Sequence, residues 1–123
     1  MRLVYVAGPY RAKTAWGREQ NIQAARYMGS LVAALGAYPA IPHANTSHMD
    51  GLCDDKFFLD GTLEMMRRCD AVVLVGKWRD SVGTLAEISE AQRMHIPVFE
   101  TITQLGTWVM AQQTVAATQR VAG

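Results

Sequence analysis

Two short stretches bounded by turn signals are apolar at every position and read as strands. Leu3 to Ala7 is rich in β-formers and is stopped by Gly8-Pro9, while Ala71-Val72-Val73-Leu74-Val75 lies between Asp70 and Gly76. A strand without polar positions needs cover on both faces, as in a parallel sheet with helices above and below. Between these runs the period lengthens. Over about Trp16 to Leu35, the residues Ile22, Ala25, Met28, Val32 and Leu35 recur at spacings of three and four, with Arg18, Gln23 and Arg26 elsewhere. That predicts an amphipathic helix, with Gly36 as its left-handed stop.

Ala37 to Pro42 is extended in pattern, and its two prolines cannot donate to a ladder, so it reads as a strand near an edge. His43 to Gly51 is polar and aperiodic, a loop. A helix follows from about Lys56 to Arg68, with Phe57, Leu63 and Met66 as its expected inner face. After the Ala71–Val75 strand, Ser81 or Gly83 opens a helix through about Met94, with Leu85, Ile88 and Ala91 inward. Ile96 to Phe99 is a short strand. Thr101 caps a last helix in which Ile102, Leu105, Val109 and Ala116 face the core. The β-α-β-α-β-α-β-α order predicts right-handed crossovers and a Rossmann-like doubly wound parallel sheet, three layers α/β/α, in one domain spanning residues 1–123.

Composition narrows the function classes. Half of the 123 residues are hydrophobic and 12 Lys+Arg balance 11 Asp+Glu, giving a formal charge of +1. Disorder needs the opposite composition, and a nucleic-acid polymer would be met by a basic surface. The apolar runs are too short for a membrane span or a signal peptide. Cys53 and Cys69, without tight spacing, fit free thiols in a reducing cytoplasm. His43, His48, Asp50 and Cys53 match no zinc spacing, so no metal is expected.

In a doubly wound sheet, ligands bind beyond the carboxyl ends of the strands. Three segments qualify: Gly8 to Arg11, Pro42 to Asp50 and Gly76 to Glu87. In the first, Gly8 and Pro9 let backbone approach a ligand, and Arg11 either grips a phosphate or is solvated. In the third, Ser81 and the amides near Gly83 open a helix and form an anion site, or Ser81 is an ordinary cap. Glu87 lies about one turn further on. A carboxylate beside an anion site is uncomfortable unless it acts, for example on an electrophilic carbon. His43 either contacts substrate or ties its loop down. Asp80 either accepts sugar hydroxyls or is solvated, and Trp78 either stacks on a base or packs.

Taken together, Val4-Tyr5-Val6-Ala7-Gly8-Pro9-Tyr10, Cys69-Asp70-Ala71-Val72-Val73-Leu74-Val75 and Ser81-Val82-Gly83-Thr84-Leu85-Ala86-Glu87-Ile88 resemble the nucleoside 2-deoxyribosyltransferase-like superfamily. Its short bacterial and phage members are nearest in length and wording, and the superfamily also includes nucleoside 5′-monophosphate N-glycosidases. The resemblance implies a Rossmann-like fold and a glutamate nucleophile at Glu87, positioned by Tyr5. It also implies a homodimer or larger homo-oligomer. The serine six residues before the nucleophile, Ser81, and Arg11 match phosphate-binding positions of the hydrolases; an aspartate at the serine position would mark a transferase. The family's second carboxylate, which protonates or orients the leaving base, falls on Thr62. Asp60 and Glu64 lie two residues away on either side, about 200° round a helix, so Asp60 can serve only if the helix shifts in register.

The resemblance thus implies a nucleotide N-glycosidase acting on a (deoxy)nucleoside 5′-monophosphate. Glu87 is its nucleophile and Asp60 its acid. Arg11, Ser81 and the amides near Gly8 and Gly83 bind the phosphate, Pro9 also contacts substrate, and His43, Trp78 and Asp80 lie around the base and sugar. No metal or organic cofactor is expected, because the substrate carries its own leaving group. The alternatives are a nucleotide-binding module without turnover, suggested by Thr62, and a nucleoside 2-deoxyribosyltransferase.

Overall fold

A computed structural model describes residues 1–122. The elements are β1 (Leu3–Ala7), α1 (Ala15–Ala34), β2 (Tyr38–Ala40), α2 (Pro42–Asn45), α3 (Asp55–Arg67), β3 (Ala71–Leu74), α4 (Val82–Arg93), β4 (Val98–Phe99) and α5 (Ile102–Ala122). A single 3₁₀ turn, Trp78–Asp80, links β3 to α4. The four strands are parallel and ordered β2-β1-β3-β4. The chain therefore winds from β1 out to β2, then crosses back over β1 to β3. That reversal puts the topological switch between β1 and β3, with the crevice beyond Ala7 and Leu74.

Both central strands are covered on each face, as their unbroken apolarity requires. Val4, Val6, Ala71 and Val73 pack with Ala25 and Val32 of α1 and Leu105 and Val109 of α5. Tyr5, Ala7, Val72 and Leu74 face the other way, onto Met66 of α3 and Ala91 of α4. The sheet is thus sandwiched by α1 and α5 on one side and α3 and α4 on the other. Pro39 sits in the edge strand, where its missing donor costs no ladder bond between strands. Gly36, at φ 88°, ends α1 in the left-handed region.

Three inward faces differ from the sequence expectation. Phe57 is 61% exposed. It precedes Met66 by nine residues, about 900° of helix, which leaves it diametrically opposite the buried methionine. On α4, Leu85 is exposed and Thr84 is buried in its stead. On α5, Ala116 is exposed and lies beyond the part of the helix that covers the sheet. The segment read as a loop from His43 begins instead with the short helix α2. Pro42 opens it at the first helical position, where a missing N–H is harmless.

Candidate functional site

The placement of Glu87 begins with the cap of α4. Ser81 is the N-cap residue, its Oγ accepting from the Thr84 amide at 3.2 Å and from the Thr84 hydroxyl at 2.9 Å. With its hydroxyl satisfied, Thr84 can be buried against the sheet where a leucine was expected. Glu87 is three residues after Thr84 and four before the buried Ala91, so it shares their face. Had Leu85 been the inward residue, Glu87 would lie about 200° away from it.

That face meets β1. Tyr5 is fully buried on the central strand, and its hydroxyl donates to the Glu87 carboxylate. Burial pushes the Glu87 pKa up to about 7, against a smaller lowering by the Tyr5 hydrogen bond. The Tyr5 phenol is itself held well above its ordinary range, first by burial and then by the negative charge of Glu87. The result is a half-buried carboxylate that ionises near neutrality, oriented by a phenol that stays protonated. Among the described residues no Lys, Arg or His pairs with Glu87.

On α3 it is Thr62 that approaches this pair. Its hydroxyl donates to the Leu59 carbonyl at 3.0 Å and stands close enough to Tyr5 to offset part of the rise in the phenol's pKa. Asp60 points elsewhere: it pairs with Lys56 at 2.6 Å and its side chain is 60% exposed. The helix has not shifted in register, so Asp60 does not join Tyr5 and Glu87 as the sequence reading required.

The first crevice loop is fixed by close packing. A Cβ at Gly8 would lie 2.5 Å from the Val75 side chain and 2.6 Å from its carbonyl oxygen, so only glycine lets the two strand ends converge. His43 is buried, with Nε2 2.9 Å from the Pro9 carbonyl. Desolvation lowers its pKa and keeps it neutral, so it donates to that carbonyl. Of the two roles open to His43, tying down the loop is the one seen here. Arg11 pairs with Asp55 at the start of α3, at 2.8 Å, with both side chains largely exposed. Beside it the Tyr10 hydroxyl donates to Asp50 at 2.5 Å, and burial with that bond pushes its pKa up to about 12. Sequence reasoning missed the Tyr10–Asp50 and Arg11–Asp55 links, since no local pattern joins residues forty positions apart.

The second crevice loop is more open. A Cβ at Gly83 would meet nothing within 4 Å, leaving room over the first turn of α4. The Trp78 indole packs against the α3–α4 side of the core and is covered by the Arg79 guanidinium at 4.3 Å, so its packing role is the one observed. Asp80 is exposed in the 3₁₀ turn. Cys53 and Cys69 are both free, the second buried. Among the described residues no group of three His, Cys, Asp or Glu is placed to hold a metal, and no helix is long and apolar enough to cross a membrane.

The fold is shared with the 2-deoxyribosyltransferase from the psychrotolerant bacterium Bacillus psychrosaccharolyticus. The two superpose with a TM-score of 0.57 at 19% identity, over 78% of this chain and 69% of the transferase. No functionally curated protein matches the sequence. A family model does match it, over residues 2–101, which spans all four strands and the loops that form the crevice. The chain therefore belongs to the family described as a domain of unknown function, DUF7768.

Proposed function

We propose that the chain is a nucleotide N-glycosidase acting on a (deoxy)nucleoside 5′-monophosphate. Glu87 attacks the anomeric carbon as the base departs, and water then resolves the glycosyl-enzyme, the retaining-glycosidase scheme applied to an N-glycoside. The observation that carries this is the half-buried Glu87 carboxylate, held by Tyr5 beside the switch point of the sheet. Tyr5 positions the nucleophile and leaves one carboxylate oxygen free to react. The substrate phosphate lies at the first turn of α4, where the amides near Gly83 have no intrahelical acceptors and the Ser81 hydroxyl proton is available. Gly8 and Pro9 shape the opposite wall, held by His43. Arg11 exchanges Asp55 for the phosphate, and Asp80 and Trp78 border the sugar and base. Neither a metal nor an organic cofactor is required. A cytoplasmic homodimer or larger homo-oligomer, with the site completed by a second copy, belongs to the same proposal.

Incubation with a panel of 5′-monophosphates, followed by chromatography for free base, tests it. Release that survives Glu87→Ala overturns the mechanism. Two other outcomes have support. Likeness to a 2-deoxyribosyltransferase favours transfer, seen as base exchange outpacing hydrolysis. Thr62 beside Tyr5, where an acid would serve catalysis, favours a binding module, seen as ligand-dependent thermal stabilisation without product.

A further inference from the structure

We propose that the substrate's leaving group is a base already carrying a positive charge at the ring system bonded to the sugar, the pyridinium or N-alkylated purine class, expelled without proton donation from the protein. The inference rests on the glycosidase assignment above and narrows its substrate. A neutral purine or pyrimidine departs as an anion unless an acid protonates or hydrogen-bonds it, and retaining glycosidases keep a second carboxyl about 5 Å from the nucleophile for such work.

Among the described residues, the groups around Glu87 do not supply that acid. Thr62 of α3 stands beside Tyr5, and a hydroxyl is far too weak an acid to substitute. Asp60 is held by Lys56 on an exposed part of the same helix. The Tyr5 hydroxyl already donates its hydrogen bond to Glu87, and both burial and that negative neighbour make it a poorer acid still. An independent observation points the same way. Among the described residues no Lys, Arg or His pairs with the desolvated Glu87 carboxylate, while Arg11, Arg18, Lys56 and Arg79 are paired with Asp55, Asp50, Asp60 and Glu100. A cationic base brings the missing countercharge with the substrate and favours the ionised, nucleophilic form of Glu87.

The step balances without a co-reactant. A lone pair of the Glu87 carboxylate forms a bond to C1′ as the C1′–N bond breaks, and its electron pair neutralises the base. Water then bonds to C1′, the ester bond to Glu87 breaks, and the proton of the water is released to solvent. Each turnover therefore liberates one proton, whereas hydrolysis of a neutral nucleotide transfers that proton to the base.

The experiment compares nicotinamide mononucleotide and 7-methylguanosine 5′-monophosphate with GMP and UMP, following base release by chromatography and acid release in weak buffer. At least one cationic nucleotide is expected to be cleaved about a hundredfold faster than the neutral pair, the low end of what a general acid contributes. Which one reacts distinguishes a pyridinium from an alkylated purine. T62D is expected to raise the rates on GMP and UMP relative to the cationic substrate. Faster Glu87-dependent cleavage of GMP or UMP by the unaltered protein overturns the inference and leaves the glycosidase assignment standing. A folded T62D protein with an unchanged ratio overturns it as well. Absence of Glu87-dependent release from both cationic nucleotides overturns the inference, and its absence from the whole panel of ribo- and deoxyribonucleoside monophosphates overturns the glycosidase assignment itself.

Discussion

The Tyr5 hydroxyl, on the central strand of the sheet, donates to the carboxylate of Glu87, 82 positions further along the chain on α4. One partner is fully buried and the other stands at the edge of the crevice. This bond couples the core to the crevice, because Tyr5 packs with Met66 and Ala91 at one end and orients the Glu87 carboxylate at the other.

Replacing Glu87 with Gln separates chemistry from folding. Activity is expected to vanish, since an amide cannot attack C1′. Stability is expected to move in the opposite direction above neutrality. The folded pKa of Glu87 lies above its ordinary value, so between about pH 4.5 and 7 the folded state holds a proton that the unfolded state has lost. Stability contributed by that proton is present at low pH and lost as pH rises through about 7. The difference in unfolding free energy between E87Q and the unaltered protein should therefore grow in favour of E87Q from pH 5 to pH 8, by up to about 3 kcal/mol. Using the difference cancels the opposing contribution of His43, whose lowered pKa makes the fold lose stability as pH falls. A pH-independent difference contradicts the burial of the carboxylate.

Tyr5→Phe removes a bond that lowers the pKa of Glu87, so the acid limb of the pH–rate profile should shift upward. A hydrogen bond to a charged group is worth about 1.5–3 kcal/mol, and the share of it realised only in the transition state sets the loss in kcat, up to roughly a hundredfold. An unmoved acid limb would show that Tyr5 only packs.

Gly8→Ala and Gly83→Ala should diverge. At Gly8 the added methyl meets the backbone oxygen of Val75 at 2.6 Å, and forcing the strand ends apart should cost about 1–3 kcal/mol in chemical denaturation. At Gly83 it meets nothing, and alanine is expected to leave stability unchanged or raise it by up to about 1 kcal/mol. If phosphate lies on this turn, G83A should still raise KM for a monophosphate. Equal stability losses would contradict the packing at Gly8.

Ser81→Ala removes the cap of α4 and the partner of the buried Thr84 hydroxyl. Thermal unfolding should register a loss of about 1–2 kcal/mol. Beyond this, KM for a monophosphate should rise more than that for the corresponding nucleoside, and an equal rise would remove Ser81 from the phosphate site.

Arg11→Gln breaks an ion pair whose two side chains are mostly in water, so stability should change by less than about 0.5 kcal/mol. A rise in KM for monophosphates, at little cost in Tm, is the expected signature of a phosphate ligand held in reserve by Asp55.

The layered parallel sheet could be read directly from the chain. Two unbroken apolar runs demanded cover on both faces, and the prolines around residue 40 placed β2 at an edge. The helical spacing of Ile22, Ala25 and Val32 likewise survived into the core. Apolarity alone misplaced Phe57 and Leu85, because position round a helix, and not residue type, decides which side meets the sheet. A threonine with a satisfied hydroxyl won the inner place on α4.

For the site, sequence by itself determined the ingredients: a glycine-ended strand, a capped helix after β3, and a glutamate one turn inside it. The resemblance implied that Tyr5 and Glu87 meet, and only tertiary structure decided the geometry. It turned Glu87 toward Tyr5, set Thr62 rather than Asp60 beside that phenol, and gave Arg11 an acidic partner. The physical reason is that helix rotation and side-chain pairing across the sheet depend on packing between residues far apart in the chain, whereas periodicity records only local faces.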